Sequence, residues 1–95
     1  GWDAETTSGG GDQGIDVIAK RDGLSIGIQC KLYSSAVGNK TIQEAHAGKT
    51  YYGLDHAAVL TNAEFTRSAK DLGSVTGVLL LSHHDLPILA AKLQS

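Results

Sequence analysis

The dipeptide Asp22-Gly23 constrains this chain most, because it stands between two runs of alternating and mostly β-branched residues. Asp-Gly between such runs is the strongest short-range signal for a β-hairpin. A loop of Asp22 and Gly23 sets a register that places Asp16 directly across from Gln29, and a loop over 21–24 keeps that register. Lys31 lies one diagonal step from Asp16, so these three polar side chains are expected on one face of the hairpin.

The opposite face of the hairpin is expected to be wholly apolar. It carries one row of residues from each arm: Ile15, Val17 and Ala19 against Cys30, Ile28 and Ile26. We therefore expect this second face to belong to the core. Gly27 is expected to leave space beside Ile18 on the polar face.

Asp16 and Gln29 carry oxygen atoms of the kind that Mg²⁺ prefers, and the backbone carbonyl of Cys30 is a candidate third ligand. Lys31 would bring a positive charge to an anion held at the metal. The same residues also fit an ordinary hairpin, in which an exposed Asp–Lys pair contributes only about 0–1 kcal/mol. The residue pattern alone leaves both interpretations open.

The rest of the chain is predicted to form both helices and strands. Strands are expected over 1–7, 57–61 and 77–82, and helices over 42–52, 67–72 and from Asp85 onward. A capping box formed by Thr41 and Glu44 is expected to begin the first helix, and Gly53 to end it. Thr66 is the expected N-cap of the second helix, which Gly73 is expected to stop. The strand–helix–strand unit predicts a parallel, right-handed crossover.

Composition narrows the class of protein. The 95 residues are expected to form one domain, and the single cysteine excludes an intrachain disulfide, which fits a reducing, cytoplasmic setting. No apolar run is long enough for a membrane span. The net charge of −2 argues against a stand-alone DNA binder, because Lys and Arg supply most non-specific DNA affinity.

Two segments resemble the catalytic core of Mrr-type restriction endonucleases. They read Gly-Asp-Gln-Gly-Ile-Asp-Val-Ile-Ala over 11–19 and Ile-Gln-Cys-Lys-Leu-Tyr over 28–33, and the segment 59–69 is also similar to that family. These enzymes form a branch of the PD-(D/E)xK nuclease superfamily in which Gln replaces the usual acid of the second motif. The resemblance implies the restriction-endonuclease-like fold, an α/β (mixed α+β) fold. Its central mixed sheet has an antiparallel hairpin and a parallel half, and helices flank it.

The resemblance implies that residues 1–95 form one nuclease-like catalytic domain that lacks the family's N-terminal helix. The implied activity is Mg²⁺-dependent hydrolysis of DNA phosphodiester bonds, with Mn²⁺ able to substitute, in the restriction of foreign or modified DNA. Asp16, Gln29 and Lys31 would be the catalytic residues. Asp16, Gln29 and the Cys30 carbonyl would hold the metal. The implied location is the prokaryotic cytoplasm, and cutting two DNA strands with one site per chain favours a homodimer.

Three further residues are candidate auxiliaries, and each also has a plain structural explanation. Asp12 fits a turn residue, Glu44 a capping residue, and Tyr33 a residue at the rim of the cleft. Lys20, Lys40 and Lys49 are weak candidates for phosphate contacts, since a solvated face is the default for lysine. The pair His83-His84 lacks partners at zinc-site spacing and is interpreted as surface.

Two alternative functions stay open. One is a catalytically inactive nuclease-like module for DNA binding or assembly, and the other is a repair or junction-resolving nuclease on the same fold. No residue pattern indicates recognition of a particular DNA sequence or of a methylated base. We therefore expect a separate domain or subunit to recognise the DNA.

Overall fold

The computed structural model describes residues 2–7, 14–32 and 35–82. Its elements are β1 (Asp3–Thr6), β2 (Val17–Arg21), β3 (Leu24–Lys31), α1 (Asn39–Tyr52), β4 (His56–Thr61), α2 (Arg67–Thr76) and β5 (Leu79–Ser82). The strands form one sheet in the order β1-β2-β3-β4-β5. Strands β1, β2 and β3 pair antiparallel, whereas β3, β4 and β5 pair parallel. This mixed sheet with its two helical connections confirms the predicted fold class.

The predicted hairpin is confirmed at its turn. Asp22 has φ 52° and Gly23 has φ 83°, and two successive positive φ values are what a type I′ turn requires. The ladder between β2 and β3 runs from Arg21 opposite Leu24 to Val17 opposite Ile28, as the Asp-Gly loop predicts.

A buried cluster lies on each face of the sheet, so the polar face predicted for the hairpin is also covered in part. The first core cluster joins residues of both helices to β4 and includes Ile42, Ala45, Ala69, Ala57 and Val59. The second cluster lies around Ala19, Ile26 and Ala58. Gln29, expected on the polar face of the hairpin, is only 6% exposed. The polar residues therefore lie at the end of a covered sheet.

Helix α1 begins three residues earlier than predicted, so the capping box is wrong. Its N-cap is Gly38, which makes no side-chain cap, and Thr41 and Glu44 both lie inside the helix. Val37 explains the early start, since its N–H donates to the Glu64 carbonyl at 2.8 Å and its own carbonyl accepts from the Thr66 N–H at 2.9 Å. This fixed point lets the helix begin directly after it. The predicted C-cap, Gly53, is confirmed by its φ of 65°.

Helix α2 continues through Gly73, which was wrongly predicted to stop it. A Cβ at Gly73 would lie 3.1 Å from the Val78 carbonyl oxygen, so the glycine allows the helix to approach the chain leading to β5. The helix ends at Thr76, where Gly77 adopts φ 80°. The predicted N-cap is confirmed, because the Thr66 hydroxyl accepts from the Ala69 N–H at 3.1 Å.

The predicted helix from Asp85 and the pair His83-His84 lie outside the described residues. Within the described ranges, no helix is long and apolar enough to cross a membrane.

A polar link between β3 and the turn that precedes β4 gives a first testable prediction. Asp55 Oδ2 accepts from the Ser25 N–H at 2.8 Å and from the Ser25 hydroxyl at 3.1 Å. These bonds, the backbone one first, lower the pKa of Asp55. The link therefore stabilises the fold above the ordinary carboxyl pKa, and this contribution is lost as pH falls through the lowered value.

We expect Ser25→Ala to raise the pKa of Asp55 partway toward its ordinary value, since the hydroxyl donor is lost and the backbone N–H stays. An NMR titration of the Asp55 carboxyl carbon measures this shift. Ser74→Ala, which changes an exposed serine on α2, is the control. An unchanged Asp55 pKa in Ser25→Ala would contradict the assignment of the hydroxyl as a donor.

Candidate active site

Asp16 lies at a β-bulge where β2 begins. Its N–H donates to the Ile28 carbonyl at 2.8 Å, and Ile28 is also the register partner of Val17. Two residues of one strand therefore oppose one residue of the other, which is the arrangement of a β-bulge. The predicted pairing of Asp16 directly with Gln29 is wrong by one residue, although the rest of the hairpin register is right.

The bulge also moves Ile15 to the other side of the sheet. Ile15 is fully buried, and a Cβ placed on Gly27 would lie 2.9 Å from its Cδ1. Its side chain therefore lies on the same face as Gly27. The unbroken register had predicted the other face, the one that carries Val17. The space at Gly27 is filled by Ile15 and Leu54, whose Cδ1 would lie 2.6 Å from such a Cβ.

The backbone and carboxylate of Asp16 are both held in place. Its carbonyl accepts from the Thr7 N–H at 2.9 Å, and the Thr7 hydroxyl donates to the Ile15 carbonyl at 2.6 Å. Its side-chain Oδ2 accepts from the Cys30 N–H at 2.7 Å. Asp16 is thus fixed by the residue that follows β1, by β3 and by its own carboxylate. No pattern in the sequence signals the part played by Thr7.

The Asp16 carboxylate also affects the pKa of the Cys30 thiol. Burial raises its pKa above the ordinary value, and the negative charge of Asp16 raises the pKa further. Both effects keep the thiol protonated, so Cys30 is a poor nucleophile. The Cys30 backbone N–H, which was not among the predicted site groups, has the structural role here.

We expect Asp16→Asn to lower the pKa of Cys30 while leaving it above the ordinary thiol value. The substitution removes the negative charge, which is the smaller cause of the shift, and keeps the burial, which is the larger. The rate of thiol alkylation against pH measures the change. Asp22→Asn, in the hairpin turn, serves as the control. Identical alkylation profiles for all three proteins would contradict the contact between Asp16 and Cys30.

Gln29 supplies an oxygen atom that lacks a partner. Its Oε1 is buried and accepts no hydrogen bond within the described part of the chain. Burying an acceptor unpaired costs about 1–3 kcal/mol, so this atom calls for a donor or a cation. Asp16 has its Oδ2 committed to Cys30, which leaves Oδ1 for another ligand.

Oxygen atoms of these two kinds suit a hard divalent cation that takes few protein ligands. Across the described ranges, no three His, Cys, Asp or Glu side chains gather closely enough to hold a metal. Mg²⁺ keeps several of its waters and needs only one or two carboxylates beside substrate phosphates. One carboxylate, one amide oxygen and the candidate carbonyl of Cys30 are therefore compatible with Mg²⁺.

Lys31 closes β3 and is half-buried. Side chains alternate along a strand, so Lys31 shares the face of Gln29. Its carbonyl accepts from the Thr61 hydroxyl at 2.6 Å, and Lys31 is opposite Thr61 in the parallel ladder. The last residues of β3 therefore carry both the amide of Gln29 and the ammonium of Lys31.

Glu44 lies beside the segment that leads to Asp16. A Cβ on Gly14 would collide with the Glu44 carbonyl and would lie 3.3 Å from the Glu44 Cβ. Glu44 is half-buried, and the capping role that offered a simpler explanation for it is excluded. Of the other two candidate auxiliaries, Asp12 and Tyr33, the structure describes neither.

The three weakly predicted lysines do not lie together. Lys40 is exposed in the first turn of α1, which follows β3 and so begins at the Asp16 end of the sheet. Lys49 lies in the last turn of α1 and interacts electrostatically with Asp55 at the opposite end. Lys20 lines a cleft at that same far end, together with Ser25 and Asp55.

Comparisons with known proteins agree with this fold. A family model described as a restriction endonuclease, the Mrr catalytic domain, matches residues 1–89. The crystal structure of AF1548, a protein of unknown function, superposes with a TM-score of 0.71 and 27% sequence identity. That match covers 86% of this chain and 50% of the other, so this chain spans about half of that protein's length. No curated protein matches the chain.

Proposed function

We infer the function from the premise that this chain belongs to the Mrr catalytic-domain family of restriction endonucleases, and is therefore a restriction-endonuclease-like nuclease domain. We propose that it hydrolyses phosphodiester bonds of DNA with one divalent metal ion. The ion is Mg²⁺, for which Mn²⁺ can substitute. Residues 1–95 act as one catalytic domain in this proposal.

The observation that carries the proposal is the unpartnered oxygen of Gln29 at the strand end where the Asp16 carboxylate is fixed. A buried amide oxygen without a donor destabilises the free protein. A cation bound between Gln29 and Asp16 would satisfy it. Preorganised groups of this kind cost no reorganisation when charge develops in the reaction.

Each residue has a distinct part in the proposed reaction. Asp16 and Gln29, with the Cys30 carbonyl, would hold the metal, which would lower the pKa of water and neutralise charge on the phosphate. Lys31 would orient the attacking hydroxide or stabilise negative charge on the phosphoryl oxygens. Because Gln29 is neutral, we expect weak metal affinity and a single bound ion.

The proposed substrate is foreign or modified DNA in the prokaryotic cytoplasm. The chain carries a net charge of −2, and Lys20 and Lys49 lie at the end of the sheet opposite Asp16. DNA affinity from these charges is therefore small. We propose that a separate domain or subunit recognises the DNA, and that a homodimer supplies one site for each strand.

Nicking of supercoiled plasmid in the presence of Mg²⁺ tests this function. We expect nicking by the wild type, and we expect Asp16→Ala and Lys31→Ala to lose it. Chelation by EDTA should stop the wild-type reaction. Equal activity in all three proteins would overturn the proposal.

An inactive DNA-binding or assembly module is the second candidate, and two observations favour it. The described residues bring only one carboxylate into contact with β3 at the site, and the chain is negatively charged overall. Such a module would bind plasmid in a gel-shift assay without cutting it in Mg²⁺ or Mn²⁺.

Branched substrates in the same nicking assay distinguish a junction-resolving nuclease, which would cut them in preference to linear DNA.

A further inference from the structure

A buried hydroxyl supports the backbone of Lys31. Thr61 ends β4 and is fully buried. Its Oγ1 donates to the Lys31 carbonyl at 2.6 Å and accepts from the Ala63 N–H at 3.0 Å. The hydroxyl thus uses both its donor and its acceptor capacity, and it connects the end of β3 to the turn after β4.

That turn is itself anchored at the same end of the sheet. The Val37 N–H donates to the Glu64 carbonyl at 2.8 Å, and the Thr66 N–H donates to the Val37 carbonyl at 2.9 Å. The segments after β3 and after β4 are therefore tied to each other. The Thr61 hydroxyl adds a side-chain hydrogen bond from this turn to the Lys31 backbone.

We propose that Thr61 is a positioning residue for Lys31, an inference that rests on the proposed nuclease function. The Thr61 hydroxyl fixes the Lys31 carbonyl, and the carbonyl fixes where the Lys31 Cα–Cβ bond points at the end of β3. Without this bond, the last residue of the strand gains freedom and the ammonium is misplaced relative to the bound phosphate. The metal ligands Asp16 and Gln29 are not moved by this change.

Thr61→Val tests the role because valine keeps the shape of threonine and removes the hydroxyl. We expect kcat for plasmid nicking to fall roughly 10- to 100-fold, since misplacement of a reacting group by about 1 Å can cost 10²-fold. We expect KM for DNA to change little. Thr61→Ser, which keeps the hydroxyl, should recover most of the rate.

Thr66→Val is the control, since it removes a threonine hydroxyl that makes a backbone hydrogen bond away from Lys31, at the start of α2. We expect its melting temperature to fall, as in Thr61→Val, with kcat close to that of the wild type. Equal kcat values in Thr61→Val and Thr66→Val, or failure of Thr61→Ser to recover the rate, would overturn the inference.

Two further measurements keep the test decisive. If Thr61→Val does not fold, Thr61→Ala, which also has no donor, replaces it, and a wild-type kcat in that variant would also overturn the inference. Asp16→Ala is measured in the same assay. Nicking that does not depend on Asp16 removes the proposed function, whereas Asp16-dependent nicking with an unaffected Thr61→Val removes only the role of Thr61.

Discussion

Asp16→Asn is expected to slow Mg²⁺-dependent nicking by about 10²- to 10³-fold, because charge stabilisation by a bound metal contributes several kcal/mol to the transition state. Asparagine keeps an oxygen that accepts from the Cys30 N–H, so the fold around the bulge should persist. The negative charge that holds the cation is lost. Single-turnover nicking at several Mg²⁺ concentrations measures the effect, and higher Mg²⁺ should recover part of the rate.

Asp22→Asn is the control for this substitution. Asp22 also carries a carboxylate, but its side chain is exposed at the tip of the hairpin. Asparagine tolerates the positive φ of that position. We expect Asp22→Asn to nick at the wild-type rate. Equal rates for Asp16→Asn and Asp22→Asn would show that the charge of Asp16 has no part in the reaction.

Gly14→Ala is expected to destabilise the domain by about 2–5 kcal/mol and to abolish most nicking. Gly14 has φ +79°, and a left-handed conformation costs roughly 1–2 kcal/mol for alanine. Its new Cβ would also collide with the Glu44 carbonyl inside α1, and overpacking typically costs about 1–3 kcal/mol more. Since Gly14 lies two residues before Asp16, relief of the collision must move the bulge.

Gly53→Ala separates the two causes. Gly53 has φ +65°, and no atom lies within 4 Å of the position that a Cβ would take there, so alanine carries the conformational cost alone. Urea denaturation should show a smaller loss of unfolding free energy for Gly53→Ala than for Gly14→Ala. Nicking at a temperature where both variants are folded should be lost only in Gly14→Ala. Equal losses of stability would contradict the packing of Gly14 on α1.

The hairpin was predictable because its turn is encoded locally. Asp-Gly selects a type I′ turn, and the turn sets the register from Arg21 back to Val17. The bulge at Asp16 was not predictable from alternation, because an inserted residue looks like any other residue of an extended strand. As a consequence, the prediction placed the Ile15 side chain on the wrong face of the sheet. The predicted fold class was nevertheless confirmed, because it depends on the order and type of the helices and strands and not on one residue of register.

The helix boundaries show where tertiary contacts override local signals. Thr41 and Glu44 have the spacing of a capping box, yet the anchoring of Val37 starts α1 before them. Gly73 has the composition of a stop signal, yet it lies in the helix interior, where α2 approaches Val78. In both cases the deciding contact is with a residue outside the helix itself.

The sequence analysis proposed the side chains of the candidate site but did not foresee the groups that hold them in place. Asp16, Gln29 and Lys31 were identified from alternation and from the family resemblance. The burial of Gln29 depends on how the sheet is covered, which no local pattern states. Thr61 did have a signal, since it is a polar residue at the end of an apolar strand, whereas Thr7 had none.

Calorimetric titration with Mn²⁺ tests the central claim most directly, because it measures metal binding without requiring DNA cleavage. We expect the wild type to bind one ion per chain, Asp16→Asn to lose the binding heat, and Gln29→Leu to bind more weakly. Asp22→Asn should match the wild type. Binding heat that is unchanged in both Asp16→Asn and Gln29→Leu would contradict a metal site at this strand end.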